Sequence, residues 1–250
     1  MSVETLLDAR ALTKRFDGFT AVDAVDVSIS QGAIHSVIGP NGAGKTTFFR
    51  LLTGIQRPTS GSVTFGDQDI TGRRPHVIAR RGLTQSFQIT NIFPRLSVLE
   101  SVQIAILARR KRCGDFLTVF QRRVESEARE LLEQVGLEDL AGVEARTLSH
   151  GDQRILEMTL ALATHPRLLL LDEPTAGMSP LETERMVELV TQLARAKGLT
   201  VLLSEHDMDV VFGISDQVTV LHQGRVISEG PPEQVQDDER VVEVYLGGEG

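Results

Sequence analysis

Nine consecutive residues, Gly39-Pro40-Asn41-Gly42-Ala43-Gly44-Lys45-Thr46-Thr47, set three glycines ahead of a lysine and two hydroxyl side chains. Glycine lets a loop curl until successive backbone N–H groups converge on an anion. A helix that starts at the end of such a loop adds the positive end of its dipole. A lysine ammonium suits the β and γ phosphates, and a threonine hydroxyl suits Mg2+. The spacing of Gly39, Gly44, Lys45 and Thr46 satisfies the phosphate-loop pattern. An apolar stretch precedes it and a helical one follows, which is the context the pattern needs. The segment implies a nucleoside triphosphate site.

Hydrolysis also needs acidic groups. Leu168-Leu169-Leu170-Leu171-Asp172-Glu173 supplies two carboxylates at the end of a fully apolar run. An apolar run followed by two acids is common by itself; paired with a phosphate loop it acquires a role. Asp172 would hold Mg2+ through water, and Glu173 would polarise the attacking water as a general base.

Such groups must be carried by elements that bring them together. Val25-Asp26-Val27-Ser28-Ile29 alternates with the period of a half-buried strand. Gly32 turns the chain into Ala33 to Ile38, a second strand candidate. Thr46 to Leu52 reads as a helix that ends at Gly54, and Gly61 to Gly66 as a short strand. From about Asn91 to Leu148 the pattern is mainly helical. Leu168 to Leu171 and Thr200-Val201-Leu202-Leu203 have the continuous apolar character of strands buried in a parallel sheet. Val218 to Leu221 and Arg225-Val226-Ile227, joined at Gln223-Gly224, read as a hairpin. The fold class is α/β with a helical block inserted near the middle.

Composition bounds the answer. The 250 residues are 41% hydrophobic and 24% charged, a globular balance that excludes a disordered or fibrous chain. The longest apolar run is five residues, Ile104 to Ala108, far short of the ~20 that span a bilayer. The opening residues show no basic-then-apolar secretory pattern. A single cysteine, Cys113, excludes an internal disulfide and suits a reducing compartment. The net charge of −8 argues against a general nucleic-acid partner. It divides unevenly: residues 1–125 carry 17 Lys and Arg against 10 Asp and Glu, and the remainder 9 against 24. Arg109-Arg110-Lys111-Arg112 is the densest basic run, and it reads as a solvated helix or loop.

The phosphate loop, Leu148-Ser149-His150-Gly151-Asp152-Gln153, Asp172-Glu173-Pro174-Thr175 and Ser204-Glu205-His206-Asp207 occur in the order seen in ATP-binding-cassette ATPases, and over nearly its whole length the chain resembles that family. The resemblance implies one ABC ATPase domain over residues 1–250. It would have a RecA-like core, an antiparallel β subdomain, a helical subdomain inserted over roughly 91–160, and a helical tail over roughly 231–250. It implies ATP and Mg2+ as ligands. Thr46, Asp172 and Gln88 would hold the metal, and Glu173, His206 and Gln88 would act in hydrolysis. Ser149 and Gly151 look like the segment that reaches the γ-phosphate held by a second subunit. Phe16 resembles the aromatic residue that stacks on adenine, with Phe19 as its competitor, and Gln88 fits its pattern better than Gln85.

Three residues depart from that pattern. His150 and Asp152 stand where glycine and glutamine are usual, and Ser179 where aspartate is usual. A hydroxyl at 179 still hydrogen-bonds but carries no charge. Leu148 to Arg154, Glu173 to Pro180, Glu205 to Met208 and the tail Val241 to Gly247 are together similar to the ATPase subunits of branched-chain amino acid importers. The resemblance then implies a second ATPase subunit, identical or not, integral membrane permease subunits and, indirectly, a solute-binding protein. It places the chain in the cytoplasm, on the inner face of the plasma membrane. An exporter ATPase, or a cassette of a soluble assembly without a permease, would share the same catalytic residues.

Overall fold

The computed structural model describes residues 4–86, 93–109 and 118–246. Gln88, Cys113 and Arg110 to Arg112 lie outside the described residues.

The chain starts with two long strands, β1 (Thr5–Phe16) and β2 (Phe19–Ser30), then β3 (Ile34–Ile38) and the helix α1 (Lys45–Leu52). Next come β4 (Ser60–Phe65), β5 (Gln68–Asp69), α2 (Pro75–Ala79) and β6 (Leu83–Ser86). Helices α3 (Val98–Arg109), α4 (Thr118–Gln134) and α5 (His150–Leu162) lead to β7 (Leu168–Asp172), α6 (Pro180–Lys197) and β8 (Thr200–Ser204). The chain ends with α7 (Met208–Ile214), β9 (Gln217–His222), β10 (Arg225–Gly230), α8 (Pro232–Gln236) and α9 (Glu239–Leu246).

Two sheets form. β2-β1-β4-β5 is antiparallel, and the larger sheet has the order β10-β9-β3-β8-β7-β6. In it β9, β3, β8, β7 and β6 run parallel, with β10 antiparallel at one edge. The expected hairpin is that edge, and its turn uses positive φ at Gln223 (48°) and Gly224 (79°), which matches strand twist.

The apolar runs are explained by burial on both faces. Along β7, Leu168 and Leu170 point into a core shared with α1 and the antiparallel sheet, while Leu169 and Leu171 point into a core shared with α3 to α6. Side chains alternate across a strand, so a strand with a core on each side has no polar position. β8 repeats this, with Leu202 on one side and Val201 and Leu203 on the other.

Two elements escape the periodicity argument. β1 buries Leu6, Leu7, Ala9 and Leu12 without strict alternation, because Ala11 adopts φ +44° and the register slips there. The stretch before Leu148 is less helical than its pattern suggests. Gly136 (φ +69°) ends α4, and short 3-10 turns fill the way to α5.

Candidate nucleotide site

β3, β8 and β7 are neighbours and parallel, so their carboxyl ends lie side by side. Ligands of open α/β sheets bind beyond such ends. Lys45 follows β3, Glu205 and His206 follow β8, and Asp172 and Glu173 close β7. Three distant stretches of sequence thus meet at one edge of the sheet.

The phosphate loop is shaped by its glycines. Gly39, Gly42 and Gly44 have φ of 150°, 80° and 107°, a region costly for residues with a Cβ. A Cβ at Gly39 would fall 2.1 Å from the Leu221 carbonyl oxygen, and one at Gly44 2.4 Å from that of Ala21. The hairpin turn braces the loop from outside, since the Gly224 N–H donates to the Ala43 carbonyl at 2.9 Å. Inside lies an open cleft of about 270 Å3, walled by Asn41 to Thr47, Phe19, Ala21 and Glu173. Lys45 Nζ donates to the carbonyls of Gly39 (2.6 Å) and Pro40 (3.3 Å). Burial lowers its pKa, opposed by the charges of Glu173 and Asp172.

The acidic side of the cleft is built from β7 and β8 in register, with Asp172 opposite Ser204. The Ser204 hydroxyl donates to Asp172 Oδ1 at 2.6 Å. Burial raises the Asp172 pKa; the Ser204 bond and the charges of Lys45 and Arg50 act against it, while Glu173 adds to it. Glu173 has φ +50°, left-handed for a residue with a side chain, a strain of about 1–3 kcal/mol that neighbours must hold. Its N–H donates to the Ser204 carbonyl at 3.0 Å. Its Oε1 lies 2.7 Å from His206 Nε2. The following loop is anchored by the buried Glu205, whose Oε1 accepts from the Thr175 N–H (2.9 Å) and hydroxyl (2.7 Å).

Lys45, Thr46, Asp172, Glu173 and His206 therefore share one region. Ser149 and Gly151 do not line this cleft; they open α5, where Ser149 Oγ accepts the Asp152 N–H. Phe16, expected on the nucleotide, is not on the cleft wall either. Phe16 and Phe19 oppose each other across the Asp17-Gly18 turn; Lys14 Nζ sits 5.0 Å over the Phe16 ring, and Phe19 faces the cleft. Ser204 and Glu205 also shape the site: Ser204 meets Asp172 through strand register, and Glu205 meets Thr175 between the loops that follow β8 and β7. Among the described residues no three His, Cys, Asp or Glu side chains gather into a metal cage. Nucleotide-bound Mg2+ needs none, since it keeps waters and takes one or two protein oxygens beside the phosphates. A hydroxyl at Thr46 and a carboxylate at Asp172 fit that requirement. A larger cavity of about 580 Å3 near Arg109, Glu127 and His165 lies elsewhere. Glu127 there lies 2.6 Å from Arg109 and 3.3 Å from His165.

Fold and cleft together define a phosphate-loop ATPase of the ATP-binding-cassette class. The chain belongs to the ABC transporter family, whose model matches residues 22–176, and it is an ATP-binding, ATP-hydrolysing subunit. Residues 225–250 match a second model, branched-chain amino acid ATP-binding cassette transporter. Among curated relatives, the high-affinity branched-chain amino acid transport ATP-binding protein BraF of Pseudomonas aeruginosa is 41% identical over 97% of this chain and 98% of its own. Among solved structures, the ADP conformation of MJ1267, an ATP-binding cassette of an ABC transporter, superposes with a TM-score of 0.86 at 30% identity, covering 98% of this chain and 99% of that one. A dimeric post-hydrolysis structure of the cassette MJ0796, bound to ADP and phosphate, gives 0.78 at 25% identity over 91% of this chain and 99% of that one. No helix among the described residues is long and apolar enough to cross a membrane.

Proposed function

We propose that this cassette energises an importer of branched-chain amino acids or closely related small solutes. The observation that carries the reading is the match of both the cassette body and the terminal segment to that transporter group. The whole chain acts as one cassette, with the helical stretch over roughly 91–160 as an inserted subdomain and residues 231–250 as its tail. Two cassettes, identical or paired with a second kind, close over two ATP molecules.

In each site the phosphate-loop N–H groups of residues 41–47 and the Lys45 ammonium bind the β and γ phosphates. Thr46 and Asp172 would hold Mg2+, with Gln88 as the third residue that the family resemblance implies, and the ion would supply charge neutralisation at the phosphates. Glu173 accepts a proton from the water that attacks the γ-phosphorus, while the bond from that phosphorus to the β-γ bridging oxygen breaks and ADP leaves. His206, 2.7 Å from Glu173, orients that carboxylate. Ser149 and Gly151 reach the γ-phosphate of the partner's nucleotide. Phe19, on the cleft wall, and Phe16, which the family resemblance implies, are the two candidates to stack on adenine.

A permease docks on the open apolar groove of about 420 Å3 formed by Phe93, Ile104, Ala105, Ala108 and Leu160 beside Gln85. Phe93 and Ile104 are exposed there, as suits a surface covered by a partner. That location is the cytoplasmic face of the plasma membrane, with a solute-binding protein on the other side. The test is purification from detergent-solubilised membranes, then reconstitution in vesicles with leucine, isoleucine and valine. Co-isolation of an integral membrane partner and ATP-dependent uptake are expected. Recovery of the cassette without any membrane protein overturns the reading.

A further inference from the structure

His150, Asp152 and Ser179, the three departures from the family pattern, converge in space. Ser179 caps α6 in a reciprocal box: its Oγ accepts the Glu182 N–H at 3.4 Å, and Glu182 Oε2 accepts the Ser179 N–H (2.9 Å) and hydroxyl (2.8 Å). The other carboxylate oxygen leaves the helix. Glu182 Oε1 accepts the Gly151 N–H at 3.1 Å, so one carboxylate holds the first turns of both α5 and α6. A Cβ at Gly151 would stand 2.6 Å from that oxygen; the carboxylate fills the space a side chain would take. Two further contacts run alongside. Arg185 bonds Asp152 Oδ1 (2.8 Å) and the Gly136 carbonyl (2.9 Å), and His150 Nε2 lies 3.3 Å from the Ala176 carbonyl oxygen.

We propose that Glu182 is a positioning residue for ATP hydrolysis, tying the start of α5 at Gly151 to the loop that runs from Glu173 to Ser179. The inference rests on the roles proposed above for Glu173 and Gly151. One end of that loop carries the general base, and the α5 terminus carries the groups offered to the partner's nucleotide. Glu182 makes these two parts of a subunit one rigid piece, and rigid placement of reacting groups is worth large factors in rate. A charge-assisted bond to a backbone N–H is the stronger kind of hydrogen bond. Neither Glu182 nor Gly151 lines the nucleotide cleft of its own subunit, so loss of the tie leaves ATP binding to the single subunit unchanged and acts on turnover by the closed pair.

The structure contains a matched control. Ser97 and Glu100 form the same box at the start of α3, with bonds of 2.8, 2.8 and 3.2 Å, and among the described residues the Glu100 bonds stay within that box. Glu182→Ala is expected to lower kcat about tenfold, with the Kd of the single subunit for ATP within about twofold. Glu182→Gln keeps one acceptor oxygen, which can take the Gly151 N–H at the expense of the Ser179 N–H, and recovers part of the rate. Glu100→Ala costs similar thermal stability but leaves kcat within about twofold. Ser179→Asp restores the usual family residue yet lowers kcat, because it sets a second carboxylate against Glu182; in the Glu182→Ala background it costs nothing further. An unchanged kcat in Glu182→Ala, or an equal loss in Glu100→Ala, overturns the proposal. Glu173→Gln is measured beside them: if it still hydrolyses ATP at the normal rate, the site reading fails, a result separate from any outcome at position 182.

Discussion

The Ser204 hydroxyl donates to Asp172 Oδ1 at 2.6 Å, joining the carboxyl ends of two adjacent buried strands. Both residues are buried, so neither side chain has water as a ready substitute partner. The bond favours the ionised form of a carboxylate that burial otherwise pushes toward neutrality. It also fixes which oxygen of Asp172 is left for a metal or its waters. Ser204→Ala is therefore expected to raise the Mg2+ concentration for half-maximal ATPase activity by about tenfold, in the range seen when a ligand's supporting hydrogen bond is removed. A Mg2+ titration of the variant that superimposes on the parent curve contradicts this role.

Asp172 also makes a pH-dependent cost. Its folded pKa lies above the unfolded value, so it contributes favourably below the unfolded pKa and that contribution is lost as pH rises through the folded pKa. At neutral pH and without nucleotide, the buried ionised carboxylate destabilises the fold. Asp172→Asn removes the charge while keeping an oxygen for Ser204. The variant should be more stable than the parent in urea melts at pH 7.5 with EDTA. The gap should narrow as pH falls through the raised folded pKa, and Mg-ATP should reverse the order. A variant less stable than the parent at pH 7.5 refutes the assignment.

The phosphate-loop glycines are not equivalent. Gly44 has φ +107°, and a Cβ there would meet the Ala21 carbonyl oxygen at 2.4 Å. Gly42 has φ +80° but nothing within 4 Å of the same position. Gly42→Ala pays only backbone strain, about 1–2 kcal/mol. Gly44→Ala adds a clash with main chain that cannot move without disturbing β2, and should cost about 3 kcal/mol or more. Chemical melts of the nucleotide-free variants give both values; equal losses would mean that the loop relaxes more freely than its packing suggests.

Sequence made the phosphate loop and Asp172-Glu173 legible because each is local: residue types within nine positions dictate the backbone or the strand end. What stayed hidden depends on register or packing. Ser204 sits beside Asp172 only because β8 pairs in register with β7. Glu182 looks like an ordinary capping residue until α5 is docked, when its second oxygen meets Gly151. β1 was hidden by the bulge at Ala11, which breaks the alternation a strand should show. β6 was hidden by its composition, Leu-Thr-Gln-Ser, polar enough to read as a loop. Phe19 rather than Phe16 reaches the cleft because the turn between them, and not the sequence, chooses the side.

Glu173 Oε1 and His206 Nε2 are 2.7 Å apart. A carboxylate in that contact must accept, so the imidazole donates from Nε2 and its orientation is fixed. Glu173 is thereby held through its backbone to Ser204 and through its side chain to His206. Glu173→Gln removes the proton acceptor but not the shape, so nucleotide binding should persist within about threefold while hydrolysis falls by a factor of ~10^2 to 10^4. His206→Ala leaves the acceptor but releases its orientation, and should slow turnover less. Because both act through one contact, the double variant should be no slower than Glu173→Gln alone. Single-turnover hydrolysis with labelled ATP measures all three. Additive losses in the double variant would mean that His206 acts on the nucleotide independently of Glu173.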